Sequence, residues 1–206
     1  MIREGLAWAL TFALLGLIFL RLALLRSAGY YIPLAFFLLL AVFTLYFFRN
    51  PRIDVSYRDR TVYSPADGRI FEIEEKEGRK VVKIFMNVFN NHVQRAPLAG
   101  EITEISYRKG KFLPADSREA ELLNENNTVT IRNIDLGEVQ VRQIAGILAR
   151  RIACWVKKGD QLKPGEIFGM IKLGSQVDLF LPEKAELRVK EGDRVNTGQT
   201  VIAVWE

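Results

Sequence analysis

Two long uncharged runs open the chain, and they limit its folding more than anything that follows. "GLAWALTFALLGLIFL" (5–20) is sixteen residues without a charge, and "YYIPLAFFLLLAVFTLYFF" (30–48) is nineteen more. A helix of about 20 apolar residues crosses the roughly 30 Å hydrocarbon layer. Lipid offers no partner to backbone N–H and C=O groups, so such a run spans as a helix. Arg21 and "LALL" extend the first run, and only "RSAG" separates it from the second. Residues 1–48 therefore read as a membrane-associated helical hairpin, with Arg21 near one end where its stem can snorkel. A secretory signal peptide is the rival for residues 1–29, because "SAG" could be a small-residue cleavage site; the second run close behind counts against it.

Orientation follows from positive charge. Arg3 precedes the hairpin and Arg49, Arg52, Arg58 and Arg60 follow it, while Arg26 marks the turn, with Arg21 nearby. That bias puts both ends in the cytoplasm, and residues 49–206 on the cytoplasmic face of the cell membrane. Tyr30 and Tyr31 suit an interfacial belt. Of the net charge of +5, about +3 belongs to residues 49–206. This fits an anionic membrane surface and is too weak and scattered for nucleic acid. The single Cys154 excludes an intramolecular disulfide framework. Its apolar setting, "RRIACWV", reads as a buried structural thiol. One His and one Cys without a ligand-spaced cluster argue against a metal site.

From residue 49 the chain reads as mainly β with some helix. "RKVVKIFMNVF", "EITEISYR", "NTVTIRNI", "EVQVRQIA" and "AELRVK" alternate and are bounded by Gly, Pro, Asp and Asn. The clearest helix is "PADSREAELLNEN" (114–126), with Asp116 as cap and Glu119 completing a capping box. "IAGILARRIACWV" fits helix and buried strand equally. Two internal echoes carry more weight. "VKKGDQLKPGEIFGMI" from Val156 matches "VKEGDRVNTGQTVIAV" from Val189, with Gly159, Asp160 and Gly165 each 33 residues before Gly192, Asp193 and Gly198. "SPADGRIFEI" from Ser64 echoes "RAPLAGEITEI", with Pro65 and Gly68 each 32 residues before Pro97 and Gly100. Repeated supersecondary units bury each other's apolar faces in a pseudo-symmetric body. "GDxVxxGxxI" turns recur in lipoyl- and biotin-carrier domains. The expected fold is a barrel-sandwich (lipoyl-like) pseudo-symmetric β domain preceded by the hydrophobic hairpin.

The repeats inform most where they differ. Asp67 aligns with Ala99, so the turn itself does not require the carboxylate. "GMIKLGS" continues only the first copy of the other pair, and its Gly174-Ser175 step interrupts what reads as one strand, "MIKLGSQVDLF" (170–180). Departures from local rules tend to mark functional or strained sites. The single histidine, His92, is the one side chain whose ordinary pKa lies near neutrality. Each has a plain structural reading: a turn residue before Gly68, a strand hydroxyl, a structural imidazole.

The collinear set "FFRNPR", "SPADG", "NNHVQRAP", "KGKFLPA", "NENN", "AGILARRIACWV" and "GMIKLGSQVDLFLP" resembles phosphatidylserine decarboxylase in its short prokaryotic form, over nearly the whole chain. The resemblance implies that a proenzyme cuts its own backbone between Gly174 and Ser175. A β chain of residues 1–174 and an α chain of 175–206 result, and Ser175 becomes a covalent pyruvoyl cofactor. Glycine before the serine suits this chemistry, because it tolerates a strained turn and leaves its carbonyl open to attack. The resemblance further implies Schiff-base decarboxylation of an anionic phospholipid, phosphatidylserine, to phosphatidylethanolamine, in a homodimer of α/β protomers. His92 is then the candidate base, with Asp67 fixing its tautomer.

Longer members read His-x-x-His-x-Pro, whereas this chain has Arg95 at the second histidine's place, and arginine is no base at neutral pH. Either His92 serves both self-cleavage and decarboxylation, or another group or water supplies the first base. Gln176 stands where longer members often have Thr. Two alternatives stay open: a membrane-anchored, non-catalytic lipoyl-like adaptor, and a decarboxylase acting on an archaeal ether-linked serine phospholipid.

Overall fold

A computed structural model describes residues 3–113, 118–146, 151–172 and 175–206. Asp116, Gly174 and the middle of "IAGILARRIACWV" lie outside the described residues. The chain divides into two compact units, Met1–Arg52 and Ile53–Glu206.

In the first unit α1 (Arg3–Leu25) and α2 (Tyr31–Phe47) are joined by a short 3-10 turn, Ala28–Tyr30, where Gly29 N–H donates to Ser27 Oγ at 3.3 Å. Pro33 falls within the first turn of α2, where backbone N–H groups have no helical partner to lose. Phe37 stacks on Phe12 and Phe19 across the pair. Leu14, Leu24, Ile32 and Leu39 remain exposed. A helix that is apolar on every side suits an apolar surrounding, and both helices are long and apolar enough to cross a membrane.

The second unit is β-rich. In chain order its strands are β1 (Thr61–Tyr63), β2 (Gly68–Lys76), β3 (Arg79–Met86), β4 (Val93–Arg95) and β5 (Gly100–Arg108). After the short helix α3 (Arg118–Leu123) come β6 (Asn126–Asn133), β7 (Gly137–Ala145), β8 (Ile152–Cys154), β9 (Gln161–Leu162) and β10 (Ile167–Ile171). The last are β11 (Ser175–Pro182), β12 (Glu186–Leu187), β13 (Arg194–Val195) and β14 (Val201–Val204). An eight-stranded sheet runs β13-β2-β3-β11-β7-β6-β5-β9, beside two three-stranded sheets, β4-β10-β8 and β1-β14-β12.

The eight-stranded order is palindromic with respect to the repeats. Ile70 N donates to Asp193 O at 2.9 Å while Gly192 N donates to Ile70 O at 2.8 Å; Ile102 makes the same pair with Asp160 and Gly159 at 2.9 and 2.8 Å. Bulges fall at matching places, between Ile70 and Glu72 and between Ile102 and Glu104. Gly68 and Gly100 are required at these crossings, because a Cβ would stand 2.2 Å from Phe85 O and 2.6 Å from Arg132 O. The mainly β, pseudo-symmetric fold anticipated from the repeats is therefore present.

Three local readings need correction. The helix within 114–126 ends at Leu123, not at Asn126. Asn124 is withdrawn from it because its side chain closes the excursion: Nδ2 donates to Leu113 O at 2.9 Å and Ala145 O at 2.7 Å, and Oδ1 accepts from Leu113 N at 2.8 Å. In "AELRVK" only Glu186–Leu187 is strand. The stretch 170–180 is not one interrupted strand: β10 ends at Ile171 in one sheet and β11 starts at Ser175 in another. Both strands are buried, so their apolar pattern runs on across the crossover and hides it.

β11 sits between β3 and β7, with Val177, Leu179 and Leu181 in the core and Gln176 and Asp178 on the opposite face. There Asp178 accepts from Arg142 Nε at 3.0 Å and from Gln176 Nε2 at 2.6 Å. Lys83 pairs with Glu72 at 2.8 Å, with Glu74 at 3.1 Å and with Glu121 of α3. Burial alone would lower the Lys83 pKa, but the three carboxylates outweigh it and hold it above the ordinary lysine value. Burial pushes the Asp178 carboxyl up, with Arg142 opposing. An acid with a raised folded pKa contributes stability that is present below its unfolded value and lost as pH rises through the folded one. Arg142→Met raises that pKa further and leaves a buried carboxylate without its cation. It is expected to cost about 3–5 kcal/mol at pH 7.5 and less at pH 5, read by urea denaturation at both.

Candidate active site

Ser175 opens β11 where three strands meet. It pairs with Met86 at the end of β3 and Ala145 at the end of β7, and it is fully buried. Its side chain is in phase with Val177 and so lies on the core face of the sheet. Among the described residues Oγ donates to Met86 Sδ alone, at 3.5 Å. A thioether is a weak acceptor, so the hydroxyl is held in place without being bound tightly. Gly174, the other half of the anticipated cleavage site, is outside the described residues.

Asparagines build the segment that presents His92. Asn87 Oδ1 accepts from Phe89 N and Asn90 Oδ1 from Asn87 N, each at 2.9 Å, and Asn91 Oδ1 accepts from Val93 N at 3.1 Å. Such side chains satisfy a tight loop's own backbone. His92 follows, fully buried. Its Nδ1 lies 2.9 Å from Asn90 O. A carbonyl can only accept, so Nδ1 carries the hydrogen and the lone pair of the neutral ring falls on Nε2. The His92 backbone carbonyl accepts from Ile171 N at 3.3 Å, which ties the loop to the end of β10.

Asp67 is half-buried and braces this loop through its backbone. Oδ2 accepts from Asn91 N at 3.1 Å and Oδ1 from Thr197 N at 2.6 Å. Nδ1 of His92 thus faces Asn90 O, and Asp67, anticipated as the residue that fixes the tautomer, holds the neighbouring Asn91 N. The asymmetry of the repeats also has its reason here. Thr197, the donor, stands 33 positions after Pro164, which has no N–H; Asp67, the acceptor, stands 32 before Ala99, which has no carboxylate. Donor and acceptor occur in the same copy and are both missing from the other.

Arg95 alternates with Gln94 on β4. Its Nη1 donates to Gly165 O at 2.8 Å, in a turn of the repeat. Burial lowers its pKa, with Tyr57 and Asp67 opposing. It remains a cation and supports the backbone. Cys154 is half-buried, with Sγ 3.7 Å from Val156 O.

Met86 contacts Ser175, and the loop that follows Met86 carries His92. Sequence reasoning missed Met86, Asn90, Asn91 and Thr197. Of these only the cluster of asparagines left a signal, as loop-builders before the lone histidine.

The family model described as phosphatidylserine decarboxylase matches residues 40–203. A protein of Syntrophus aciditrophicus named phosphatidylserine decarboxylase proenzyme is 40% identical over 171 residues, 80% of either chain. One of the same name from Ralstonia nicotianae is 44% identical over 173 residues, 81% of this chain and 80% of its own. A putative archaetidylserine decarboxylase proenzyme of Methanococcoides burtonii is 39% identical over 202 residues, 98% of this chain and 94% of its own.

Proposed function

The chain belongs to the phosphatidylserine decarboxylase family, and from that premise we propose that it cuts itself between Gly174 and Ser175, carries a pyruvoyl group made from Ser175, and decarboxylates phosphatidylserine to phosphatidylethanolamine. It is a carboxy-lyase, and this sets aside the adaptor reading. The observation that supports the finer reading is the setting of Ser175: a buried serine at the first position of a strand, its hydroxyl held, among the described residues, by a thioether alone.

In the proposed maturation Ser175 Oγ attacks the Gly174 carbonyl carbon. The O–C bond forms, the C–N bond breaks, and the Ser175 nitrogen takes a proton. Loss of the Ser175 Cα proton then forms Cα=Cβ and breaks Cβ–Oγ, releasing Gly174 as a carboxylate. Tautomerisation and hydrolysis release the nitrogen as ammonia. His92 Nε2 is the proposed proton acceptor, since Nδ1 is committed to Asn90 O. Asp67 acts at one remove, by holding Asn91 and Thr197. A pyruvoyl group keeps the three carbons of Ser175, so it needs no added volume at this position between Met86 and Ala145. Once formed, the group supplies the electron sink for loss of CO2 from a serine headgroup. His92, once protonated at Nε2, is the proposed donor of the proton that replaces CO2.

The two apolar helices fit membrane attachment. The arginines around the hairpin favour a cytoplasmic catalytic unit, and a homodimer is part of the same proposal. A serine lipid of archaeal type is the second reading, favoured by the relative that covers nearly the whole chain; competition between ester- and ether-linked serine lipids decides between them.

Intact mass tests the central claim. Freshly purified, folded protein is expected to give chains 1–174 and 175–206, the smaller lighter by one ammonia than a serine-initiated chain. A single full-length chain would refute it.

A further inference from the structure

Three buried amides run head to tail beneath the site. Gln94 Nε2 donates to His92 O at 2.8 Å, Gln143 Nε2 to Gln94 Oε1 at 2.9 Å, and Asn127 Nδ2 to Gln143 Oε1 at 2.9 Å. Gln94 and Gln143 are fully buried and Asn127 nearly so. The direction of the chain is dictated from its inner end. A backbone carbonyl can only accept, so Gln94 must present its NH2 to His92 and its oxygen to Gln143, and the same necessity passes on to Asn127. No other orientation of the three satisfies the line.

The second contact of Gln94 joins this line to the serine. Its Nε2 lies 3.9 Å from Met86 Sδ, the atom that accepts from Ser175 Oγ. Gln143 occupies the core face of β7 at the pair facing Val177, two positions along the same face from the pair that holds Ser175. Its amide comes so close to β10 that a Cβ on Gly169 would stand 2.9 Å from Nε2. A buried polar chain without slack fixes one arrangement of its members. This one has the His92 carbonyl at its end and the Ser175 contact at its side.

We infer that Gln94 is a positioning residue, setting the His92 ring against Ser175 by holding the His92 carbonyl, with Gln143 and Asn127 fixing its orientation. The inference rests on Ser175 and His92 being the reacting pair. Among the described residues Gln94 bonds to Met86 Sδ, the His92 carbonyl and Gln143, and not to Ser175 Oγ or the His92 ring. Its effect is geometric, and small displacements of a proton-transfer group are costly: about 1 Å of misplacement costs on the order of 10²-fold in rate.

The test separates position from scaffold. Full-length parent, Gln94→Met and the triple variant Gln94→Met/Gln143→Met/Asn127→Leu are purified from membranes in detergent. Each is measured for extent of self-cleavage, kcat and KM on phosphatidylserine, and thermal unfolding. Gln94→Met leaves the Gln143 amide without its acceptor and loses stability as well as rate. Replacing all three amides with apolar side chains of similar size removes that penalty, because satisfied pairs exchanged for apolar ones are close to neutral. The expected result is a triple variant that unfolds near the parent's temperature, yet turns over about 10- to 100-fold more slowly with KM within about threefold, or stays uncut. Parent-like kcat in either variant overturns the proposal, as does failure of both to fold, which would make the amides mere scaffold. A parent that neither cuts at Ser175 nor releases CO2 would instead bring down the reading of the site itself.

Discussion

Ser175→Ala is expected to leave one uncut chain with decarboxylation at the level of the blank, a loss of more than about 10⁴-fold. The hydroxyl removed is the proposed nucleophile of maturation and the source of the prosthetic group, so one deletion ends both. The same change should barely affect folding. Among the described residues Oγ has one weak contact, to Met86 Sδ, and losing it costs no more than about 1 kcal/mol. A folded, full-length, inactive protein by mass, thermal unfolding and CO2 release is the diagnostic combination. Cleavage at the parent rate would remove Ser175 from the mechanism.

His92→Ala is expected to lower kcat by about 10²–10⁴-fold in any mature enzyme that forms, the usual worth of a positioned proton-transfer group. Removing a fully buried ring also opens a cavity, so His92→Gln, closer in volume, is the companion variant. Single-turnover measurement on matured protein separates decarboxylation from self-cleavage. Since Arg95 is occupied with Gly165 O and is no base, slowed processing in both variants would assign His92 to maturation too. Parent-like processing and parent-like turnover together would take His92 out of both steps.

Much of this was legible in the residues. The hairpin followed from two uncharged runs, and the pseudo-symmetric sheet from glycines and aspartates spaced 32 and 33 apart, because closing turns depend on a few residues at fixed positions. Asp67 could be singled out from its mismatch with Ala99, and Thr197 mismatches Pro164 in the same way, but nothing in the sequence joined the two, because a bond to a backbone N–H is not written in residue types. The same holds for Asn90, whose carbonyl and not its side chain meets His92. The crossover between β10 and β11 was hidden because strands buried in different sheets share one apolar pattern. Gln143 was in principle visible, as a polar residue on the core face of β7 in phase with Val139, Val141 and Ala145. What it was for depended on Gln94, 49 positions away.

β11 is hydrogen-bonded along both sides, to β3 and to β7. The proposed cut at its first residue would therefore make a new chain end without freeing a strand, and the small fragment would stay lodged in the middle of the sheet. Before such a cut, refolding would be a search by one molecule; after it, two pieces would have to find each other, at a rate set by dilution. The matured protein would then hold together by slow unfolding alone, a trap entered once, with the uncut precursor as the last form able to recover fully from denaturation.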